Sequence, residues 1–156
     1  MSQTIHDRLK QLGVVLATPA PPVSNYVPTV QSGSLLYISG QLPTKADGVL
    51  LKGCLGKDTS VEQAQEAARW CAVNILAQVN AALGGNLGRI VRCVKLGGFV
   101  ASTPDFFEHH KVMNGCSDFM VAALGDSGKH ARFAVGVAAL PLGAVVEVDA
   151  LFEVKA

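Results

Sequence analysis

The chain has 156 residues, 49% apolar and 16% charged, with a formal net charge of +1. A chain of this length forms one domain and buries about 70% of its unfolded surface, enough for a core without metal or disulfide staples. The absence of a Lys/Arg cluster leaves no electrostatic footprint for nucleic acid. No run of ~18 apolar residues marks a membrane span.

Met1 to Gln11 is polar and lacks an apolar stretch, so no signal peptide is expected. Ile5, Leu9 and Leu12 have helical spacing and predict a short helix over 2–12. Three prolines in 18–22 impose an extended connector. Tyr26 to Gln31 and Leu35 to Ser39 flank Ser32-Gly33-Ser34 and predict a hairpin. Residues 42–58 read as a loop with a short edge strand. Thr59 and Glu62 match a capping box that opens a long helix. Its stripe is Ala64, Ala67, Ala68, Cys71, Ile75, Val79 and Leu83, and Gly84-Gly85 ends it. Ile90 to Ala101 is apolar with β-branched residues and predicts a strand buried on at least one face. A second helix starts at Thr103-Pro104-Asp105, with Phe107, Val112, Cys116, Phe119 and Leu124 inward. Residues 125–128 form a loop. Strands at 131–140 and 145–154 follow, joined as a hairpin through Pro141-Leu142-Gly143. The order ββαβαββ predicts a single α+β domain with a mixed sheet and both long helices on one face. The high apolar content assigns the other face to copies of the same chain.

Several motifs fail. Gly125-Asp126-Ser127-Gly128-Lys129 lacks the first glycine of a phosphate loop, and His130 stands where Ser or Thr must bind magnesium. Ser117-Asp118 has no SxxK partner for a β-lactamase-like site. His109 and His110 diverge by about 100° on a helix and cannot share one ion, so they read as exposed helix residues and no metal is expected. Cys54, Cys71, Cys93 and Cys116 form no CxxC pair and read as reduced thiols of a cytoplasmic protein without a cofactor.

The unusual chemistry lies in the last two strands. Alternation puts Arg132, Ala134 and Gly136 on one face, a guanidinium over a shallow floor with room for a carboxylate. Glu147 and Asp149 share a face of the next strand. By spacing alone, a structural salt bridge is the alternative for Arg132, and a solvated edge of the sheet is the reading that spacing favours for Glu147. In a hairpin about 141–143, Glu147 lies opposite Gly136, and Arg132 is roughly 13 Å away. One small ligand then reaches both only across a subunit boundary.

The segment Ala131-Arg132 to Val137, Leu140-Pro141, and Val146-Glu147-Val148-Asp149-Ala150 resembles the C-terminal signature of the YjgF–RidA family. Tyr26, the run Leu36 to Pro43 and Gly98-Phe99-Val100 fall in that family's order. The resemblance covers about residues 20–154. It implies a chorismate-mutase-like fold, a homotrimer, and clefts between subunits where small imines and enamines of the 2-aminoacrylate type are hydrolysed. It further implies that Arg132 holds the substrate carboxylate, Glu147 positions water, and Tyr26, Gly40, Phe99 and Ala134 line the cleft. Ala134 stands where relatives often carry a polar residue or Cys, and Ser24-Asn25-Tyr26-Val27-Pro28 replaces their Gly-Pro-Tyr-Ser. The N-terminal extension, the longer loop near 44–58 and the segment 125–130 are additions typical of a longer subgroup, and Lys129 and His130 add positive charge beside Arg132. A carboxylate-binding module without turnover is the alternative. The family is also labelled endoribonuclease L-PSP, but the sequence offers neither a basic surface nor a clear histidine acid/base pair for RNA cleavage.

Overall fold

The computed structural model describes residues 2–156. The elements are α1 (Ile5–Gln11), β1 (Thr29–Ser32), β2 (Leu35–Gln41), α2 (Val61–Ala82), β3 (Ile90–Ala101), α3 (His109–Leu124), β4 (Ala131–Val137) and β5 (Val146–Val154). The five strands form one mixed sheet in the order β1-β2-β5-β3-β4. Only the β3–β4 pair is parallel. Its crossover is α3, since a parallel pair needs a connection of a dozen or more residues. No helix among the described residues is long and apolar enough to cross a membrane.

Helices α2 and α3 cover one face of the sheet. The stripe read from the sequence of α2 is buried throughout, as are Val112, Cys116, Phe119 and Leu124 of α3. Beneath them lie Leu36, Leu96, Val100, Val148 and Phe152. Gly115 brings the helices together: a Cβ there would strike the Gln65 backbone.

The structure corrects four expectations. The cap of α2 is one residue later than expected: Ser60 Oγ accepts from Gln63 N–H, and the Gln63 side chain returns to Ser60 N–H. The Thr59 hydroxyl is committed instead to Cys54 N–H and Asp58. Second, α3 begins at His109, after a turn in which Thr103 Oγ1 donates to Asp105, and Phe107 is 77% exposed rather than inward. Third, β4 ends at Val137, short of Leu140. Fourth, β4 and β5 do not form a hairpin; β3 lies between them. The tight turn at 141–143, with Leu142 at φ 61°, carries the chain across to the far side of β3, so β5 runs antiparallel to β4 without pairing with it.

The opposite face of the sheet carries Val30, Tyr37, Phe99, Phe133, Val135 and Leu151, together with Lys95, Glu147 and Asp149. Val30, Tyr37 and Val135 are 44–52% exposed. Phe99 and Phe133 meet edge to face at 5.4 Å, and Lys95 Nζ sits 5.5 Å from the Phe133 ring.

Candidate functional site

Arg132 enters β4 opposite Leu96 and points toward α3. There His110, Asn114 and Ser117 share one helix face, at the i, i+4, i+7 spacing. The guanidinium donates to Asn114 Oδ1 at 3.0 Å, Ser117 Oγ at 3.1 Å and the His110 carbonyl at 3.3 Å. All three acceptors are neutral, and the ion pairs among the described residues do not include Arg132. The side chain is therefore fixed in direction while its charge stays uncompensated, which suits a residue that awaits an anion.

Behind it stands a pair that the sequence reading did not assemble. Ser117 Oγ lies 2.8 Å from His130 Nε2, and His130 Nδ1 faces the Gly128 carbonyl. A ring nitrogen against a carbonyl carries the proton, so in the neutral ring Nε2 accepts from the Ser117 hydroxyl. That leaves the hydroxyl oxygen free to accept from Arg132. His130 thus acts on Arg132 through Ser117, while Lys129 points away to an exposed pair with Asp126 at 3.3 Å. The only signal in the sequence was the helical spacing of Ser117 from Asn114, which means nothing until β4 is known to run beneath α3.

Ala134 shares the helix-facing side of β4 with Arg132 and packs against the core. At Gly136 a Cβ would strike His109 Nε2 and Ser102 Oγ, which are 2.9 Å apart. The floor beside Arg132 is thus covered by the start of α3 at Gly136, on the edge strand of the sheet. His109 is half-buried, and desolvation lowers its pKa.

Glu147 lies on the other face of the sheet. In β5 it is flanked across the ladder by Phe99, which in turn pairs with Val135 of β4. Its carboxylate rests against Gly40, where the β2–β5 register is interrupted: a Cβ at Gly40 would collide with Glu147 Oε1. Burial, with a smaller contribution from Asp149 on the same face, raises the Glu147 pKa above the ordinary glutamate value. A half-buried carboxylate with a raised pKa holds a proton more readily than an exposed one, which suits it to taking up and releasing one. Phe99, Gly40 and Glu147 are thus neighbours, and Gly40 and Tyr26 line a common cavity.

Arg132 and Glu147 are not neighbours within the chain. They are two strands and three register positions apart, roughly 14 Å between Cα atoms, and point to opposite faces. The hairpin register expected from the sequence is wrong, but the separation it implied persists.

A model of the family described as "YjgF/chorismate mutase-like, putative endoribonuclease" matches residues 6–154. Protein TCP17 of Trypanosoma cruzi is 49% identical over 148 residues, which are 94% of this chain and 92% of the relative. Among solved structures, Atu1372 from Agrobacterium tumefaciens, described as of unknown function, superposes with a TM-score of 0.90 at 52% identity, over 97% of this chain and 92% of that one. RidA from an Antarctic Psychrobacter gives 0.59 at 30% identity, over 88% and 96%.

Proposed function

The chain belongs to the YjgF/chorismate mutase-like family, and on that premise we propose that it is a cytoplasmic imine/enamine deaminase, working in clefts between the subunits of a homotrimer. Its substrates are small imino acids of the 2-aminoacrylate/2-iminopropionate type, which it converts to keto acids and ammonia. The observation that carries this reading is the Arg132 guanidinium, held by three neutral oxygens and paired with no carboxylate among the described residues.

The protonated imine is already electrophilic, so no cofactor is needed. Arg132 of one subunit grips the substrate carboxylate with its planar fork and fixes C2. Glu147 of the neighbouring subunit takes a proton from water as the water oxygen bonds to C2. The C=N pair moves onto nitrogen, giving a tetrahedral aminoalcohol. Glu147 returns the proton to nitrogen, the C–N bond breaks as the hydroxyl gives its proton to Glu147 and the C=O bond forms, and the departing ammonia takes that proton and leaves as ammonium. The raised pKa of Glu147 supports both halves of this exchange. Tyr26, Gly40, Phe99 and Ala134 complete the cleft.

The test is to generate 2-aminoacrylate in situ and compare keto-acid formation with wild-type protein, with Arg132→Ala and without protein. Acceleration by wild type and none by Arg132→Ala is expected. Wild-type turnover in the variant removes the mechanism. Keto-acid binding without acceleration would mark the chain as a carboxylate-binding module instead.

A further inference from the structure

We propose that His130 is a positioning residue for the carboxylate that Arg132 holds, and that a proton taken up by its ring tightens that grip. This rests on the reading of Arg132 given above and names the residue that tunes its affinity.

A guanidinium carries five N–H donors. Both on Nη1 are spent, on Asn114 Oδ1 and Ser117 Oγ, and one on Nη2 goes to the His110 carbonyl. The Nε–H and the second Nη2–H have no partner among the described residues and remain for a carboxylate. Which donors stay free depends on Ser117 Oγ acting as an acceptor, and His130 sets that role. Its Nδ1 faces the Gly128 carbonyl, which can only accept, so Nε2, 2.8 Å from Ser117 Oγ, takes the hydroxyl proton. When the ring takes up a proton, Nε2 becomes a donor to the same oxygen. Ser117 Oγ then accepts from His130 and Arg132 on its two lone pairs. Its own proton turns elsewhere, and a helical serine has the carbonyl four residues back within reach. The guanidinium keeps its direction, but two cations now face each other across one hydroxyl. A bound carboxylate offsets that repulsion, so the protonated state binds it more tightly. The other charged groups about the ring are the exposed Lys129–Asp126 pair on its own segment, and Arg92 of β3 and Glu153 of β5, which line a cavity with it. Arg92 and Glu153 are cross-strand partners of opposite sign. On α3, Asp118 is exposed and His110 meets Arg132 through its carbonyl. The Ser117 hydroxyl alone bonds to both the ring and the guanidinium.

The experiment titrates pyruvate calorimetrically into the full-length Glu147→Gln protein, in which the Glu147 carboxyl no longer titrates, from about pH 8 to about pH 5.5, where imidazoles change charge. Affinity is expected to rise by about fivefold over that range. Adding His130→Gln supplies a side-chain oxygen that accepts from Ser117 in place of Nε2 and cannot titrate. Its affinity should stay at the high-pH level of the parent throughout. Adding His130→Ala instead frees the Ser117 hydroxyl, and binding should be about two- to tenfold weaker than in His130→Gln at every pH. With nitrogen-15-labelled histidine, the ring signals lost in His130→Gln should place the proton on Nδ1 at high pH. If His130→Ala fails to fold, the slope in His130→Gln and the position of that proton still decide. An unchanged slope in His130→Gln, equal binding by folded His130→Gln and His130→Ala, or a proton on Nε2 would each overturn the proposal while leaving Arg132 as the carboxylate site. Pyruvate binding undiminished in Arg132→Ala would overturn the reading on which the proposal rests.

Discussion

Gly40→Ala separates the chemistry from the fold. Gly40 is not in the left-handed region, so alanine fits its backbone, and losing glycine's freedom in the unfolded chain contributes about 0.4–1 kcal/mol of stability. Against this, the new Cβ collides with Glu147 Oε1 and approaches Glu147 Cδ to 3.0 Å. Only a flexible side-chain end must move, which costs about 0.5–1.5 kcal/mol if the rotamer is strained. The two effects nearly cancel, so Tm should stay within a few degrees of wild type. The carboxylate, however, shifts by about an ångström, and misplacement on that scale costs about 100-fold in rate, or about 2.7 kcal/mol. The assay pairs thermal unfolding with kcat/KM for 2-iminopropionate in wild type, Gly40→Ala, Glu147→Ala and the double variant. If Gly40 acts only through Glu147, the double variant is no slower than Glu147→Ala alone. Undiminished turnover in Gly40→Ala, or an additive loss in the double variant, would refute the reasoning.

Glu147→Gln should lower kcat by about 10²–10⁴-fold and yet stabilise the fold at neutral pH. Burial raises the native pKa of Glu147, so folding favours its protonated form; that contribution is complete below the unfolded value and lost as pH rises through the native one. Unfolding curves should therefore show the variant ahead of wild type at pH 7 and level with it below the ordinary glutamate range; a reversed order would contradict the assignment. Gly115→Ala should destabilise, because its Cβ meets Gln65 backbone atoms that cannot rotate away. Overpacking of about 2–3 kcal/mol outweighs the ~1 kcal/mol gained in helix propensity, so Tm should fall by roughly 3–6 °C. A rise in Tm would show that α2 and α3 are less tightly docked.

Local pattern located α2 and β3 and the body of α3: the apolar stripe of α2 and the β-branched run Ile90 to Ala101 need no tertiary information. Pairing was harder to read. β4 and β5 are adjacent in sequence with a turn between them, which is how a hairpin looks, but the preference for β4 beside β3 comes from the α3 crossover and from packing that no local pattern records. The capping box was misplaced by one residue because Thr59/Glu62 and Ser60/Gln63 fit the same template, and only the folded loop shows Thr59 occupied by Cys54 and Asp58. For the candidate site, alternation sorted Arg132 and Glu147 onto the correct strand faces. It could not show that those faces look in opposite directions across the sheet, nor that His130 supports Arg132 through Ser117. The cavity lined by Tyr26 and Gly40 was invisible because its walls, the proline-rich connector and α2, are about fifty residues apart and individually ordinary.

Mixed oligomers give the sharpest test. Arg132→Ala and Glu147→Gln chains, each inactive alone, are unfolded together in equal amounts, refolded and assayed. If every cleft draws its guanidinium from one chain and its carboxylate from the next, about a quarter of the clefts regain both groups, and activity returns to roughly that fraction of wild type. A mixture as inactive as its parents would mean that the two side chains do not act on one ligand across a subunit boundary.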